Sequence, residues 1–169
     1  MPNHVYLDYN ATTPVAPEVV DVMIPWFTER FWNAASAHSM GAMANDAVET
    51  ARQQVADFIG AHPNEIVFTS GSTESINLAL KGALSASPDR TGIVTVATEH
   101  KAVLDTAAWL AEQGASTCVL PVTASGEIDP ELFAGSVDEH TAVVSVMAAN
   151  NETGVIADLV VPVDAARRC

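Results

Sequence analysis

Basic residues are scarce. Seven lysines and arginines stand against 21 aspartates and glutamates in 169 residues, a net charge of −14. That balance disfavours nucleic acid and anionic membrane as partners, because neither the surface potential nor counterion release would favour binding. No apolar run approaches the roughly 20 residues of a membrane span. The opening MPNHVYLDYN is too polar for a secretory signal, so the expected location is cytoplasmic. Cysteine occurs only at Cys118 and Cys169, which gives no disulfide framework and no metal-ligand spacing. None of His4, His38, His62, His100 and His140 sits in a zinc-type pair. Glycine fingerprints are missing too: without G-x-G-x-x-G or G-x-x-x-x-G-K-[ST], a dinucleotide or P-loop domain is disfavoured.

What is present suits a packed core. Hydrophobic residues make up 49% of the chain and the mean hydropathy is +0.19, enough for one folded domain. Apolar residues three or four apart predict a helix over 15–31, interrupted or kinked near Pro25, and a second over 39–59 with Gly60 as its stop. Then the period changes. EIVFT (65–69), GIVTVAT (92–98), STCVL (116–120) and TAVVSVM (141–147) read as short buried strands. Helical stretches at 73–85, 101–113 and 129–136 lie between them, and VPVDAARRC (161–169) begins another. Alternating strand and helix implies an α/β fold with a mainly parallel sheet flanked by helices.

In such sheets ligands bind beyond the carboxyl ends of the strands. EIVF leads into Thr69-Ser70-Gly71-Ser72-Thr73-Glu74-Ser75, IVTVA into Thr98-Glu99-His100-Lys101, and AVVSVM into Ala148-Ala149-Asn150-Asn151-Glu152-Thr153-Gly154. Each cluster has two readings. The hydroxyls around Gly71 either cap a helix or cradle an anion at its N-terminus. His100 either caps a helix or works in chemistry, Asn150 and Asn151 either shape a turn or bind a ligand, and Glu152 reads first as a solvated charge. Taken together, a hydroxyl and amide cradle, an imidazole and a carboxamide match pyridoxal 5′-phosphate, which has one phosphate, one flat ring and one phenolate. That cofactor also needs a Schiff-base lysine. Only Lys81 and Lys101 exist, the first late in its helix and the second beside His100 and nearer the cradle.

YLDYNATTP, EIVFTSGSTESINLALKG, TEHKAVLD and VSVMAANNETGV resemble, in order and spacing, the amino-terminal half of the cysteine desulfurases, in the class V aminotransferase group of fold-type I pyridoxal-phosphate enzymes. The resemblance covers essentially the whole chain. It implies that Ser72 and Thr73 hold the cofactor phosphate, that His100 stacks on the pyridine ring and moves protons as sulfur leaves, and that Asn151 binds the phenolic side of the cofactor and the substrate carboxylate. Lys101 then matches the lysine that follows the stacking histidine, not the Schiff-base residue.

In the family, the aspartate beneath the pyridine nitrogen, the Schiff-base lysine, the carboxylate-binding arginine and the sulfur-accepting cysteine follow the region matched here. Neither Cys118 nor Cys169 corresponds to that cysteine. WNAAS (32–36) departs from the usual Asn-Pro pair. The expectation is an amino-terminal extended segment (1–14) and a partial pyridoxal-phosphate large domain (15–169), inactive alone and either associated with its complementary half or self-associated through unpaired surfaces. The complete enzyme would be a cytoplasmic homodimer converting L-cysteine to L-alanine and passing sulfur as a persulfide to an acceptor or scaffold protein for iron–sulfur clusters or thio-modification. Alternatives on the same scaffold are a selenocysteine lyase, an aminotransferase or a non-catalytic scaffold fragment.

Overall fold

The computed structural model describes residues 5–168; His4 and Cys169 lie outside them. The chain forms two compact units that meet in sequence between Phe68 and Thr69.

The first unit is helical. Helix α1 (Pro17–Thr28) starts with proline in its first turn, where the missing N–H has no helical partner to lose. It runs through Pro25 without interruption, which leaves a kink as the surviving form of the expectation there; Glu29 and Arg30 both donate to the Pro25 carbonyl, so the last turn closes on the proline itself. Helix α2 (Ser39–Ile59) matches the predicted span. His38 Nδ1 accepts from the Gly41 N–H at its start, and Gly60 ends it in the left-handed conformation, φ 71° and ψ 29°. Trp26 and Trp32 are half-buried and line an apolar groove of about 740 Å³ with Val22, Val48 and Phe68. Phe27 and Phe58 remain 72% and 90% exposed.

EIVFT does not become a strand. Pro63–Glu65 instead forms a 3₁₀ turn closed by a capping box, with the His62 side chain accepting from Asn64 N–H and Glu65 from His62 N–H. Ile66 then extends (φ −95°, ψ 123°), but among the described residues the segment joins no sheet. Its Ile66 carbonyl accepts from the Arg52 guanidinium, which also lies 5.0 Å from the Phe68 ring centroid. An apolar run specifies burial; a strand also requires a partner ladder, which the run cannot reveal.

The second unit is α/β. Helix α3 (Ser72–Ala86) leads to β1 (Gly92–Val96), α4 (Lys101–Glu112), β2 (Ser116–Leu120), α5 (Pro130–Ser136), β3 (Thr141–Ser145) and α6 (Val160–Arg167). Among the described residues the sheet therefore has three strands rather than the expected four, ordered β2-β1-β3 and all parallel. Central β1 is buried along its whole length, as a two-sided parallel strand should be. Gly92 is required there: a Cβ would come within 2.9 Å of the His140 carbonyl and Thr141 Cα, next to the register shift between β1 and β3.

Alternation along β1 divides the core. Ile93 faces Leu80, Val103, Ala107 and Leu110 of α3 and α4, while Val94 and Val96 face Leu120, Phe133 of α5 and Ala165 of α6. The helices thus cover both faces, and the connections β1-α4-β2 and β2-α5-β3 leave the carboxyl ends of the strands open for loops.

Candidate cofactor site

Two helix N-termini come together at that open end. Helix α4 begins shortly after β1 ends. Helix α3 reaches β1 through residues 87–91 only, so it runs against the strand direction and its N-terminus lies at the carboxyl end of the sheet. Thr73 in the first turn of α3 and Ala102 in the first turn of α4 line the same cleft.

The α3 N-terminus is not capped by a side chain. Its N-cap is Gly71, at φ 157° and ψ −179°, a region reached almost only by glycine. Ser72 and Thr73 are the first helical residues rather than caps, and both are exposed. Neighbouring hydroxyls brace the loop: Thr69 Oγ1 lies 2.6 Å from Ser75 Oγ, and Ser75 Oγ donates to the Gly71 carbonyl at 3.2 Å. Ser70 donates through its hydroxyl and its N–H to Glu74, at 2.6 and 2.7 Å. Those two bonds, the hydroxyl first, hold the Glu74 carboxyl below its ordinary pKa. Open N–H groups, hydroxyls at the first two positions and a glycine are the donor set a phosphate needs.

His100 is the N-cap of α4. Its Nδ1 accepts from the Ala102 N–H at 3.1 Å, so the neutral ring carries its proton on Nε2. The capping role is therefore real, and it leaves the exposed ring and Nε2 available. Buried Glu99 accepts from the His100 N–H at 3.1 Å, fixing the turn from strand to helix.

His100 shares a second cleft, of about 270 Å³, with Thr98, Glu99, Lys101, Asn150, Asn151 and Glu152. The Asn-bearing loop after β3 is a short antiparallel turn, bridged between Ala149 and Ile156 and reversed at Gly154, φ 76°. Asn151 and Glu152 are exposed at its edge. Asn150 is half-buried and spans two elements: its Nδ2 donates to the Thr98 carbonyl at 2.7 Å, and its Oδ1 accepts from the N–H groups of Glu152 and Thr153 at 2.9 and 2.8 Å. Sequence reasoning offers a turn role for Asn150 and misses its bond across 52 positions, for which no local signal exists.

The sequence predicts polar clusters at three strand ends. Two arrive that way, after β1 and β3; the third comes on α3 from a segment that joins no sheet. The clusters also fall in two clefts, Thr73 in one and His100 with Asn151 in the other, flanking the start of α4.

Both lysines have partners. Lys101 Nζ pairs with Asp105 at 3.0 Å, with side chains 81% and 62% exposed. Lys81, well into α3 from Ser72 and so roughly 13 Å along its axis, lies 4.5 Å from the Trp109 ring centroid. The residues present fit the phosphate, one ring face and a polar edge of pyridoxal phosphate; Lys101 lines the cleft of His100 and Asn151 but its Nζ is engaged by Asp105, and Lys81 lines the cleft of Thr73.

The aminotransferase class-V family matches residues 5–168. The chain is 51% identical over 155 residues to cysteine desulfurase IscS of Dechloromonas aromatica, covering 90% of this chain and 38% of that protein. It is 46% identical over 162 residues to the mitosomal cysteine desulfurase of Trachipleistophora hominis, covering 94% of this chain and 37% of that one. Among solved structures, a NifS-like protein superposes with a TM-score of 0.91 at 41% identity, covering 97% of this chain and 45% of its own. SspA in complex with cysteine superposes at 0.89 with 35% identity, covering 96% and 47%. The chain thus spans well under half the length of the curated relatives it matches. A parallel sheet covered by helices on both faces, helix N-termini gathered at its carboxyl end, and these matches along nearly all of the sequence have one reading: the chain belongs to the aminotransferase class-V family, with the fold of the NifS-like cysteine desulfurases.

Proposed function

We propose that this chain is the amino-terminal part of a pyridoxal-phosphate-dependent cysteine desulfurase. The observation that carries the reading is the meeting of His100 and Asn151 in one cleft beside the start of α4, next to the uncapped N-terminus of α3. In a chain of net charge −14, an anionic cofactor has to be held by local dipoles, and two helix N-termini provide them.

Ser72 and Thr73 would hold the phosphate through their N–H groups and hydroxyls, His100 would cover one face of the ring, and Asn151 would bind the phenolic edge and the substrate carboxylate. Pyridoxal phosphate, when bound, supplies an electron sink for bond breaking at the amino acid. The chain's own contribution to the chemistry is His100. With Nδ1 engaged by the α4 backbone, Nε2 is the atom that gives or takes a proton as the sulfur departs. The net change moves one sulfur atom from L-cysteine to an acceptor thiol, giving L-alanine and a persulfide without any external oxidant. The covalent anchor and the acceptor thiol belong to the complete enzyme, read as a homodimer that passes sulfur to an acceptor or scaffold protein for iron–sulfur cluster assembly or thio-modification. No helix among the described residues is long and apolar enough to cross a membrane, which is compatible with a cytoplasmic enzyme.

The test is product analysis of the cofactor-loaded enzyme containing this chain. L-cysteine should yield L-alanine and sulfane sulfur in equal amounts, and Asn151→Ala should raise KM for cysteine and shift the cofactor absorbance, because it removes hydrogen bonds present in the ground state as well as the transition state. Transfer of the amino group to a keto acid, or turnover of selenocysteine alone, would replace the desulfurase with a sister activity on the same scaffold.

A further inference from the structure

We infer that Asn150 is the positioning residue of this site: it fixes the loop that carries Asn151 to the strand end that launches His100, and so sets the distance between the two groups. The inference rests on the proposed roles of His100 and Asn151. Its own support is geometric. One carboxamide uses both ends, donating to the Thr98 carbonyl just before His100 and accepting from the N–H groups of Glu152 and Thr153 just after Asn151. The 2.7 Å donor bond is a link between residues 52 apart, and both of its residues line the cleft. The loop's other described backbone bonds, Gly154 N–H to the Asn150 carbonyl, Asn150 N–H to Val155 and Ala157 N–H to Ala148, are internal to it. They hold its shape but do not set its place against β1.

This division of labour gives separable variants. Asn150→Asp keeps the acceptor for Glu152 and Thr153 but removes the donor and sets a carboxylate against the Thr98 carbonyl. Asn150→Ser keeps a short acceptor for the turn and cannot span to Thr98, without adding charge; it serves if the aspartate variant does not fold. Asn150→Ala removes both ends. A displacement of about 1 Å between reacting groups can cost about 10²-fold in rate.

The experiment uses the complete cofactor-loaded enzyme and three readouts: kcat/KM for L-cysteine, the cofactor's absorbance and circular dichroism, and amide exchange at Glu152 and Thr153. In Asn150→Asp and Asn150→Ser, exchange at the two amides should stay near wild type, while kcat/KM falls roughly 10- to 100-fold and the cofactor spectrum moves in the same direction as in Asn151→Ala. Asn150→Ala should show the same losses and faster exchange at both amides. If Asn151→Ala changes spectrum and turnover while both tether variants match wild type, the positioning role is overturned and the proposed function stands. If Asn151→Ala is itself silent, the assignment of the cleft fails and the positioning role fails with it.

Discussion

Replacing His100 by alanine in the complete cofactor-loaded enzyme is expected to lower kcat by about 10²–10⁴-fold, the range contributed by a positioned proton-transfer group, with a much smaller loss of cofactor affinity. The alanine variant alone is ambiguous, because the imidazole also caps α4 through the Ala102 N–H and loss of a cap costs about 1 kcal/mol. Asparagine is as good an N-cap as any residue. The informative variant is therefore His100→Asn, which restores the helix start without restoring a group that transfers protons. Its melting temperature should return to near wild type while kcat stays as low as in His100→Ala. Recovery of both would assign His100 to capping alone, and an equal loss of turnover and cofactor affinity would make its role structural.

The second large effect lies behind the site. Phe133 of α5 is completely buried among Val94, Val96, Leu120 and Ala165, where it supports the carboxyl-terminal half of β1 from below. Truncation of a buried phenylalanine removes its transfer free energy and leaves a cavity, at a cost of about 3–5 kcal/mol. That is a large share of the roughly 5–15 kcal/mol by which domains are stable. Chemical denaturation of Phe133→Ala should show a fall in midpoint of that size, whereas Phe58→Ala, at a position 90% exposed, should change the midpoint little in the 169-residue chain. Comparable losses at the two positions would mean that Phe133 does not occupy the core.

These two regions also show what a sequence can and cannot disclose. Phe133 follows the Asp129-Pro130 start signal, and the Asp129 side chain does accept from the Glu131 and Leu132 N–H groups. Helix α2 is legible to the residue because its apolar stripe ends on a glycine that the C-cap requires. β2 is legible because β-branched residues are bounded by turn signals. The run EIVFT has a similar composition and yet forms no strand, since strand formation depends on a neighbour that composition does not name. For the site, local motifs locate the groups: Gly71 with its hydroxyls, the Glu99-His100 turn and the paired asparagines. What they do not state is arrangement. That Ser72 and Thr73 follow the cap instead of forming it, that the clusters divide between two clefts, and that Asn150 makes the bond across to Thr98 all depend on chain folding.

Where the phosphate sits is the central question, and a crystal structure of the complete enzyme with pyridoxal phosphate bound locates it. The expected result is a phosphate against the N–H groups of Ser72 and Thr73 at the start of α3, the ring against the His100 imidazole, and neither Lys81 nor Lys101 bonded to the cofactor. A phosphate held away from the α3 N-terminus, or a cofactor joined to Lys101, would contradict it.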